Sequence, residues 1–365
     1  MTAAASEGHP LELGGAVPLA ADAAPGSTVS GALDRAHGAL LGLAIGDALG
    51  MPTQMLSRSR VRELWGRIEG FEAAPLENEI ASGTPAGRVT DDTDQAVILG
   101  RLLLAGRGVV DLDAYAAQLL AWQDRMVRLG SLDLLGPSTL KALTAYRAGV
   151  PATETGRWGD TNGAAMRVAP LGILMPADPL VGLVEAVARV DVMTHNTGIA
   201  NAGAAAVAAA VSVGVGGGSV AEALDLALAA ADLGSAYGCF LPGADVAARI
   251  LWARRLVAAA GSDDAAVDAV ATLVGTGVAT QEAVPAALAL AERFGDDPWR
   301  ACCAAASLGG DSDTIAAMVG AVLGACHGVV AFPSASRAAV EAANPGLGPQ
   351  LAELAAGLLG LRGSL

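Results

Sequence analysis

Two short segments of the chain combine carboxylates, hydroxyls and small residues directly before long apolar stretches. The first is Val89-Thr90-Asp91-Asp92-Thr93-Asp94, and the second is Gly309-Gly310-Asp311-Ser312-Asp313-Thr314. The apolar stretches have helical spacing, so each acidic group is predicted to lie at a helix N-terminus. Asp and Thr are ordinary helix N-caps, and capping alone would explain a single segment of this kind.

The two segments together supply more acceptors than capping needs. One side-chain acceptor caps a helix, whereas Asp91 and Asp92 are both present in one segment and Asp311 and Asp313 in the other. Residues two apart do not share a helix face, so Asp311 and Asp313 converge only if their segment is a turn around a ligand. Hard divalent cations take such oxygen ligands. The sequence therefore predicts that both segments meet and hold one or, as the favoured arrangement, two Mg²⁺ or Mn²⁺ ions.

Two further segments give weaker signals. Gly159-Asp160-Thr161-Asn162-Gly163 has the composition of a loop whose backbone binds a ligand before a helix starts. His195 also precedes a helix, where a lone histidine is most often a cap or a satisfied core residue. Neither His37 nor His327 has a second histidine four residues on, so there is no zinc motif of the HExxH type. Serine-nucleophile elbows and P-loops are also absent from the sequence.

The elements that must position these residues are predicted to be helices. Apolar residues recur at helical spacing, and no alternating β-branched run is long enough to predict a strand. The connections are short and no repeat of fixed period divides the chain, so we predict one all-α domain over residues 30–365. Residues 1–29 are rich in Ala, Gly, Pro and Ser and are predicted to be a mobile tail. The predicted helices are 31–50, 58–66, 91–106, 111–129, 137–148, 163–174, 179–193, 197–213, 219–231, 243–260, 263–273, 282–293, 298–307, 313–331 and 347–360.

The first predicted helix has a stripe of glycines at intervals of four. These are Gly38, Gly42, Gly46 and Gly50. Each interior glycine costs a helix about 1 kcal/mol relative to alanine. The stripe must therefore be offset by close helix packing, which we favour, or by space kept for a ligand.

The composition excludes several classes of protein. Of 365 residues, 53% are hydrophobic and 16% are charged, which excludes an intrinsically disordered chain. The 22 Lys and Arg against 37 Asp and Glu give a net charge of −15, which would repel a phosphate backbone, so nucleic acid is not a predicted partner. The cysteines lack zinc-ligand spacing and the density of a disulfide scaffold, and we expect reduced core thiols. They are Cys239, Cys302, Cys303 and Cys326.

A mean hydropathy of +0.48 raises the question of membrane spans. Two stretches approach the length of about 20 apolar residues that a span needs. Residues 202–218 are mostly Ala and Gly, and residues 314–332 contain His327, so both are predicted to be buried helices. The N-terminus has no Lys or Arg before an apolar run, as a secretory signal would. We therefore expect a cytoplasmic protein with no membrane partner.

Four blocks in this order resemble the ADP-ribosylglycohydrolase family, which includes the dinitrogenase reductase-activating glycohydrolases. They are GALLGLAIGDALG at 38–50, TDDT at 90–93, THNT at 194–197 and GGDSDTIA at 309–316. The resemblance runs from about residue 31 to 335, and four ordered blocks are far more specific than one. It implies a single compact orthogonal multi-helix bundle with a central dinuclear magnesium cleft. It also implies hydrolysis of the bond between C1″ of a ribose and a protein or small-molecule acceptor.

The resemblance implies roles for individual residues as well. The metal ligands would be Thr90, Asp91, Asp92, Asp311, Asp313 and Thr314. The contacts to the ribose and its linked phosphates would come from Asn162, Gly163 and His195, with Asp133 of Gly130-Ser131-Leu132-Asp133 as a further candidate. We expect Mg²⁺ held by Asp91, Asp92, Asp311 and Asp313 to bind the ribose 2- and 3-hydroxyls and a water, and one of these aspartates to orient or deprotonate that water. The catalytic candidates are Asp91 and Asp92, together with Asp94 beside them.

One position departs from the family pattern. Many members have Glu where this chain has Gln54, and glutamine cannot transfer a proton as glutamate does. Asp94 is a candidate replacement carboxylate, and the acceptor linkage stays open. The sequence leaves three functions: hydrolysis of ADP-ribosylated proteins or small ADP-ribosyl metabolites, hydrolysis of free nucleosides or small ribosides, and metal or ADP-ribose binding without catalysis. It does not distinguish a monomer from a homo-oligomer.

Overall fold

The computed structural model describes residues 28–132 and 134–363, and within them every regular element is helical. The predicted all-α class is confirmed. The predicted tail lies outside the described residues as far as residue 27, and helix α1 begins at Thr28. The α-helices of the described residues are α1 (Thr28–Gly50), α2 (Arg58–Trp65), α3 (Asp91–Ala105), α4 (Leu112–Arg128), α5 (Pro137–Arg147), α6 (Ala152–Thr155), α7 (Gly163–Met166), α8 (Ala169–Leu174), α9 (Leu180–Asp191), α10 (Gly198–Gly216), α11 (Val220–Gly234), α12 (Val246–Ala258), α13 (Asp263–Ala269), α14 (Thr280–Arg293), α15 (Pro298–Ala306), α16 (Ser312–His327), α17 (Ser334–Ala343) and α18 (Leu347–Arg362).

Three differences from the predicted helices have local causes. The predicted helix 163–174 is divided into α7 and α8, because Pro170 lies in the first turn of α8, where proline is tolerated, and not in a helix interior. The predicted helix 313–331 ends at His327, because Gly328 adopts a φ of 78°. The short helices α6 and α17 were not predicted; α17 buries only Ser336 and Val340, and Val340 is its only apolar side chain larger than alanine.

The glycine stripe of α1 lies against α16, and the predicted close packing is confirmed. A Cβ atom on Gly42 would lie 2.1 Å from the carbonyl oxygen of Gly320, and one on Gly46 would lie 2.0 Å from that of Ala316. A Cβ atom on Gly320 would in turn lie 1.9 Å from the carbonyl oxygen of Gly42. The two helices are therefore antiparallel and in backbone contact, which any side chain in the stripe would prevent.

This contact places the end of α1 beside the beginning of α16. A Cβ atom on Gly50 would lie 2.4 Å from the Cα atom of Asp313. Asp47, one turn earlier on α1, is fully buried and points toward the start of α3. The packing of α1 thus brings both acidic segments to one end of the same helix.

Helix α10 is long and apolar enough to cross a membrane by length and composition, and 89% of its apolar window is buried inside the protein. Such burial is the pattern of a core helix. The bent pair Ser30–Thr53 and Arg58–Trp65 would pass the same test only if counted as one span, and it is bent by 91°. The residues of α10 are mostly Ala and Gly, which permits neighbouring helices to approach it closely.

Candidate active site

The first acidic segment begins α3, whose N-terminus is capped by side chains other than its own aspartates. Thr90 is the N-cap, and its hydroxyl accepts from the backbone N–H of Asp92 at 3.4 Å. Asp47 of α1 accepts from the backbone N–H groups of Thr90 at 3.0 Å and of Thr93 at 3.2 Å. These bonds satisfy N–H groups that a helix start leaves without partners. Capping therefore does not explain Asp91 and Asp92.

The second acidic segment begins α16 after a turn that requires glycine. Gly309 and Gly310 have φ values of 73° and 68°, in the left-handed region. A Cβ atom on Gly310 would also lie 2.3 Å from the carbonyl oxygen of Thr276. Asp311 is the N-cap residue, yet its side chain makes no capping bond; its Oδ2 accepts from Nδ2 of Asn162 instead. Capping does not explain Asp311 either.

The two segments meet, as the sequence predicted. The hydroxyl of Thr314 donates to Oδ2 of Asp92 at 3.3 Å, across 222 positions of the chain. The hydroxyl of Thr90 donates to the same oxygen at 3.3 Å. Asp92 is only 1% exposed, and its other oxygen, Oδ1, has no hydrogen-bond partner in the part of the chain that the structure describes.

Three aspartates of this cluster have a raised pKa. Burial raises the pKa of Asp92 well above its ordinary value, and the charges of Asp313, Asp91, Asp47 and Asp311 raise it further. Burial also raises the pKa of Asp47 and that of Asp311 to about 6, against the hydrogen bonds that each accepts. Buried carboxylates so close together are stable as anions only beside a positive charge. The cluster needs cations or protons.

The donor set of the cluster fits a hard divalent cation. Carboxylate and hydroxyl oxygens are the ligands of Mg²⁺, and Oδ1 of Asp92 is such an oxygen that no described residue bonds to. Other oxygens have partners, since Gln95 donates to Oδ2 of Asp91 at 2.6 Å and Asn162 donates to Asp311. Among the described residues, no three His, Cys, Asp or Glu side chains form a preformed metal-binding group. The two-ion cleft stays a proposal. It requires the carboxylates of Asp91 and Asp311 to turn from their present partners toward the ions.

A cavity of about 780 Å³ adjoins the cluster at Thr90. Ligand pockets range over about 300–1,000 Å³. The charged side chains among its described lining residues are Arg88, Asp94 and Arg125, which leaves an excess of one positive charge. Gln54 lines the same cavity. The cavity therefore connects the acidic cluster to a wall suited to an anionic group.

The structure places the remaining candidates on or near this cavity. Asp94 lines it and accepts from Nε1 of Trp122 at 2.6 Å and from Arg125 at 3.3 Å. Gln54 is 6% exposed, and its Nε2 has no hydrogen-bond partner within residues 28–132 and 134–363. Residues 130–132 line the cavity, whereas Asp133 lies outside the described residues. Asp94 is thus held by the cavity wall, one turn from the acidic cluster.

Asn162, Gly163 and His195 come together around the start of α7. Nε2 of His195 lies 3.1 Å from the hydroxyl of Thr161. A Cβ atom on Gly163 would lie 3.0 Å from the imidazole, so glycine leaves room for the ring. The ring is fully buried, and burial lowers the pKa of His195 well below its ordinary value. The imidazole is neutral and satisfied, and its predicted contact with a ribose remains a prediction.

Sequence reasoning missed three residues of this site: Asp47, Gln95 and Arg167. Asp47 had a signal, because it is the one acid in the apolar stretch 38–50 of α1, and an acid is rarely buried there without a partner. Gln95 and Arg167 had none, because each is defined by partners on other elements of the fold. Arg167 is fully buried and lies between the two groups of candidate residues.

Replacing Asp47 by asparagine is expected to lower the free energy of unfolding by about 2–3 kcal/mol, because it weakens bonds to a charged acceptor and turns an amide N–H toward N–H donors. Activity should fall with it, since Asp47 holds the helix start that presents Asp91 and Asp92. Chemical denaturation and steady-state kinetics measure both effects. Asp232→Asn, the same change on an exposed helical residue, should stay within about 0.5 kcal/mol. Equal losses in the two variants would contradict the capping role.

Comparisons with known proteins agree with one another. The ADP-ribosylglycohydrolase family model matches residues 28–364. The chain is 39% identical over 311 residues to the protein YegU of Escherichia coli (strain K12), covering 85% of this chain and 93% of that protein. It is 30% identical over 317 residues to ADP-ribosylarginine hydrolase Tri1 of Pseudomonas putida (strain GB-1), covering 83% and 73% respectively. The solved structure of an ADP-ribosylglycohydrolase-related protein complex is 26% identical, with a TM-score of 0.67, and the match covers 92% of this chain and 100% of that one.

Proposed function

Because the chain belongs to the ADP-ribosylglycohydrolase family and is an enzyme that hydrolyses ADP-ribose linkages, we propose that it removes an ADP-ribosyl group from a protein side chain in a Mg²⁺-dependent reaction. The observation that supports this proposal is the cavity that joins Thr90 of the acidic cluster to Arg88 and Arg125. Arginine is the first acceptor to test, because the Tri1 relative is named an ADP-ribosylarginine hydrolase.

The charge of the cavity favours an ADP-ribosyl substrate over a simpler riboside. A diphosphate is an anion, and arginine binds phosphate oxygens with two parallel N–H donors. Arg125 donates to Asp94 at 3.3 Å through one of its five N–H groups, and both Arg125 and Arg88 line the cavity. A free nucleoside has no phosphate to place beside these guanidinium groups. Hydrolysis of nucleosides or small ribosides is therefore the alternative that the cavity supports less well.

The reaction needs a positioned ribose, an oriented water and a departing acceptor. The bond between C1″ and the acceptor atom breaks through an oxocarbenium-like state, the water oxygen bonds to C1″, and one water proton ends on the acceptor. Oδ1 of Asp92 is a candidate to orient that water, because its Oδ2 already accepts from Thr90 and Thr314 and no described residue bonds to Oδ1. Asp91 already accepts a hydrogen bond from Gln95, and Asp94 accepts one from Trp122.

Mg²⁺, when bound, would neutralise the crowded carboxylates and polarise the ribose hydroxyls and the water. The residues that would hold it share oxygen donors and a place where α3 and α16 begin: Thr90, Asp91, Asp92, Asp311, Asp313 and Thr314. Mn²⁺ accepts the same donors. The chain's own contribution is the close approach of α1 and α16, which keeps these oxygens together before any ion binds.

Gln54 bears on which acceptor side chain the enzyme can release. An alkoxide leaving group needs a proton at the moment of departure, which a glutamine side chain cannot donate. A guanidinium acceptor departs as a neutral guanidine, and then takes up the proton that the attacking water loses. Nε2 of Gln54 can donate a hydrogen bond to the departing group, since no described residue accepts from it. This argument favours an arginine linkage over a serine linkage.

Replacing Arg125 by alanine is expected to raise KM for an ADP-ribosylarginine protein about tenfold, the equivalent of about 1.4 kcal/mol. With Mg²⁺ present, release of ADP-ribose is measured for an ADP-ribosylarginine protein and an ADP-ribosylserine peptide, and release of ribose is measured for free adenosine. The control is Arg128→Ala, which removes the same charge from α4 but lies outside the cavity lining. The control variant should match the wild type.

The alternatives give different results in the same assay. Faster hydrolysis of adenosine than of either ADP-ribosyl substrate, with no effect of Arg125→Ala, would replace this proposal by a riboside hydrolase. Turnover of the serine peptide alone would refute the arginine linkage. Binding of ADP-ribose by calorimetry without turnover of any substrate would indicate that this chain has lost catalysis.

A further inference from the structure

Arg167 is a fully buried cation that connects the acidic cluster to the His195 segment. Its Nη1 donates to Oε1 of Gln95 at 2.8 Å. Its Nη2 donates to the hydroxyl of Thr194 and lies 3.3 Å from Nδ1 of His195. One guanidinium thus contacts the helix that begins with Asp91 and the segment that precedes α10.

The hydrogen bonds continue beyond these contacts on both sides. Toward the cluster, Nε2 of Gln95 donates to Oδ2 of Asp91 at 2.6 Å. Toward the loop before α7, Nε2 of His195 lies 3.1 Å from the hydroxyl of Thr161. Arg167 therefore lies in the middle of an unbroken path from a candidate metal ligand to a candidate ribose contact.

The chemistry of the guanidinium fixes the proton positions along this path. A guanidinium only donates hydrogen bonds, so the atoms that face it must be acceptors. Nδ1 of His195 faces this donor at 3.3 Å and the hydroxyl of Thr194 at 2.9 Å. An unprotonated Nδ1 accepts from both, which puts the single proton of the neutral imidazole on Nε2, facing the hydroxyl of Thr161. Likewise Gln95 must turn Oε1 to Arg167, which leaves its amide N–H to hold Asp91.

The burial of Arg167 is costly, and packing alone does not account for it. A buried charge is stable only when it is paired, and apolar side chains of similar volume are often as stabilising. Asp191 is 1% exposed and attracts Arg167; burial raises the pKa of Asp191 to about 7, and the guanidinium charge opposes that rise. The ring of Tyr115 lies 5.5 Å from the guanidinium. Nε of Arg167 has no hydrogen-bond partner among the described residues. The contacts of the guanidinium to Gln95, Thr194 and His195 are therefore made by its two terminal nitrogens.

We propose that Arg167 is a positioning residue that keeps His195 as a hydrogen-bond donor at Nε2 and, through Gln95, keeps the carboxylate of Asp91 in place. The positions of His195, on the proposed ribose side, and of Asp91, on the proposed metal side, are then fixed relative to each other. This role in catalysis rests on the proposed function, whereas the proton position on His195 does not.

Nitrogen-15 NMR of the imidazole tests the proposal without any substrate. The wild-type chain has four histidines, and a His195→Gln sample assigns the signal. The wild type should show the proton on Nε2 alone. In Arg167→Met, where the donor facing Nδ1 is gone, a population protonated at Nδ1 should appear, since Thr194 can then accept from it.

Kinetics test the positioning role. Arg167→Met should lower kcat about a hundredfold, as a displaced catalytic group does, with a smaller effect on KM. Arg167→Lys retains the charge, but its single amine can contact either Gln95 or the Thr194–His195 pair and not both. This variant should therefore fold like the wild type and have lower activity. Gln95→Leu should lower kcat and leave the His195 proton on Nε2.

Arg362→Met is the control, because it also removes a guanidinium with part-buried bonds, in this case to the backbone carbonyls of Gly172, Ile173 and Met175. An unchanged Nε2 proton in Arg167→Met, or a kcat no lower than that of Arg362→Met, would overturn the proposal. If Arg167→Met does not fold, kcat of Gln95→Leu tests the Asp91 side, and an unchanged kcat there would overturn the proposal. Arg167→Lys then tests the whole residue, since wild-type kcat together with a proton on Nε2 alone would also overturn it. A protein without ADP-ribosyl hydrolysis but with the expected NMR result would refute the proposed function and retain the His195 assignment.

Discussion

Asp313→Ala is expected to lower kcat/KM for the ADP-ribosyl substrate by at least about a thousandfold while the protein stays folded. Asp313 is 3% exposed in the first turn of α16, and its charge is the largest neighbouring contribution to the raised pKa of Asp92. Removing it takes away a proposed metal ligand and at the same time relieves repulsion between carboxylates. Asp311→Ala should lose activity similarly, because Asp311 belongs to the same cluster.

Thermal unfolding with and without Mg²⁺ separates the ligand role from a structural one. In chelator the Asp313→Ala variant should be at least as stable as the wild type, because the like-charge repulsion is reduced. Addition of Mg²⁺ should raise the Tm of the wild type and leave that of the variant unchanged. Asp264→Ala, which removes an exposed acid from the first turn of α13, should match the wild type in both measurements. Activity of Asp313→Ala within a factor of three of the wild type would refute the metal site.

Gly320→Ala is expected to lower the free energy of unfolding by at least about 3 kcal/mol, although alanine is the better helix former. The added methyl group would lie 1.9 Å from the carbonyl oxygen of Gly42, which is backbone and cannot rotate away. The helices α1 and α16 must then separate. Because these helices hold Asp47 and Asp313, the folded fraction of the variant should also lose activity.

Chemical denaturation with a matched glycine gives the comparison for Gly320→Ala. Gly360 lies in α18, is exposed, and has nothing within 4 Å of a Cβ atom built on it. Gly360→Ala should stabilise the protein by up to about 1 kcal/mol. A cost for Gly320→Ala below about 1 kcal/mol would show that α1 and α16 are not in backbone contact in solution.

The sequence determined the helices, the surplus of aspartates and the stripe of small residues, because each of these is a local pattern. Helical periodicity acts within a few turns, and α3 accordingly begins at Asp91 as predicted and ends at Ala105, one residue before the predicted end. The two acidic segments were recognised because four aspartates exceed what two helix caps need. The stripe in α1 indicated a close helix contact, since glycines at intervals of four face one side.

Only the tertiary structure decided which surfaces those patterns meet. The stripe does not specify α16 as its partner; the complementary glycines Gly320 and Gly324 are far away in the sequence. Asp47 caps a helix 43 positions away, and Arg167 bonds to Gln95 across 72 positions. Such contacts depend on how whole helices pack. The packing of one helix depends on all the others, because the side chains of a close-packed core interdigitate and leave few voids. The candidate metal ligands were therefore evident one by one in the sequence, whereas their assembly into a site, and the parts taken by Asp47, Gln95 and Arg167, required the fold.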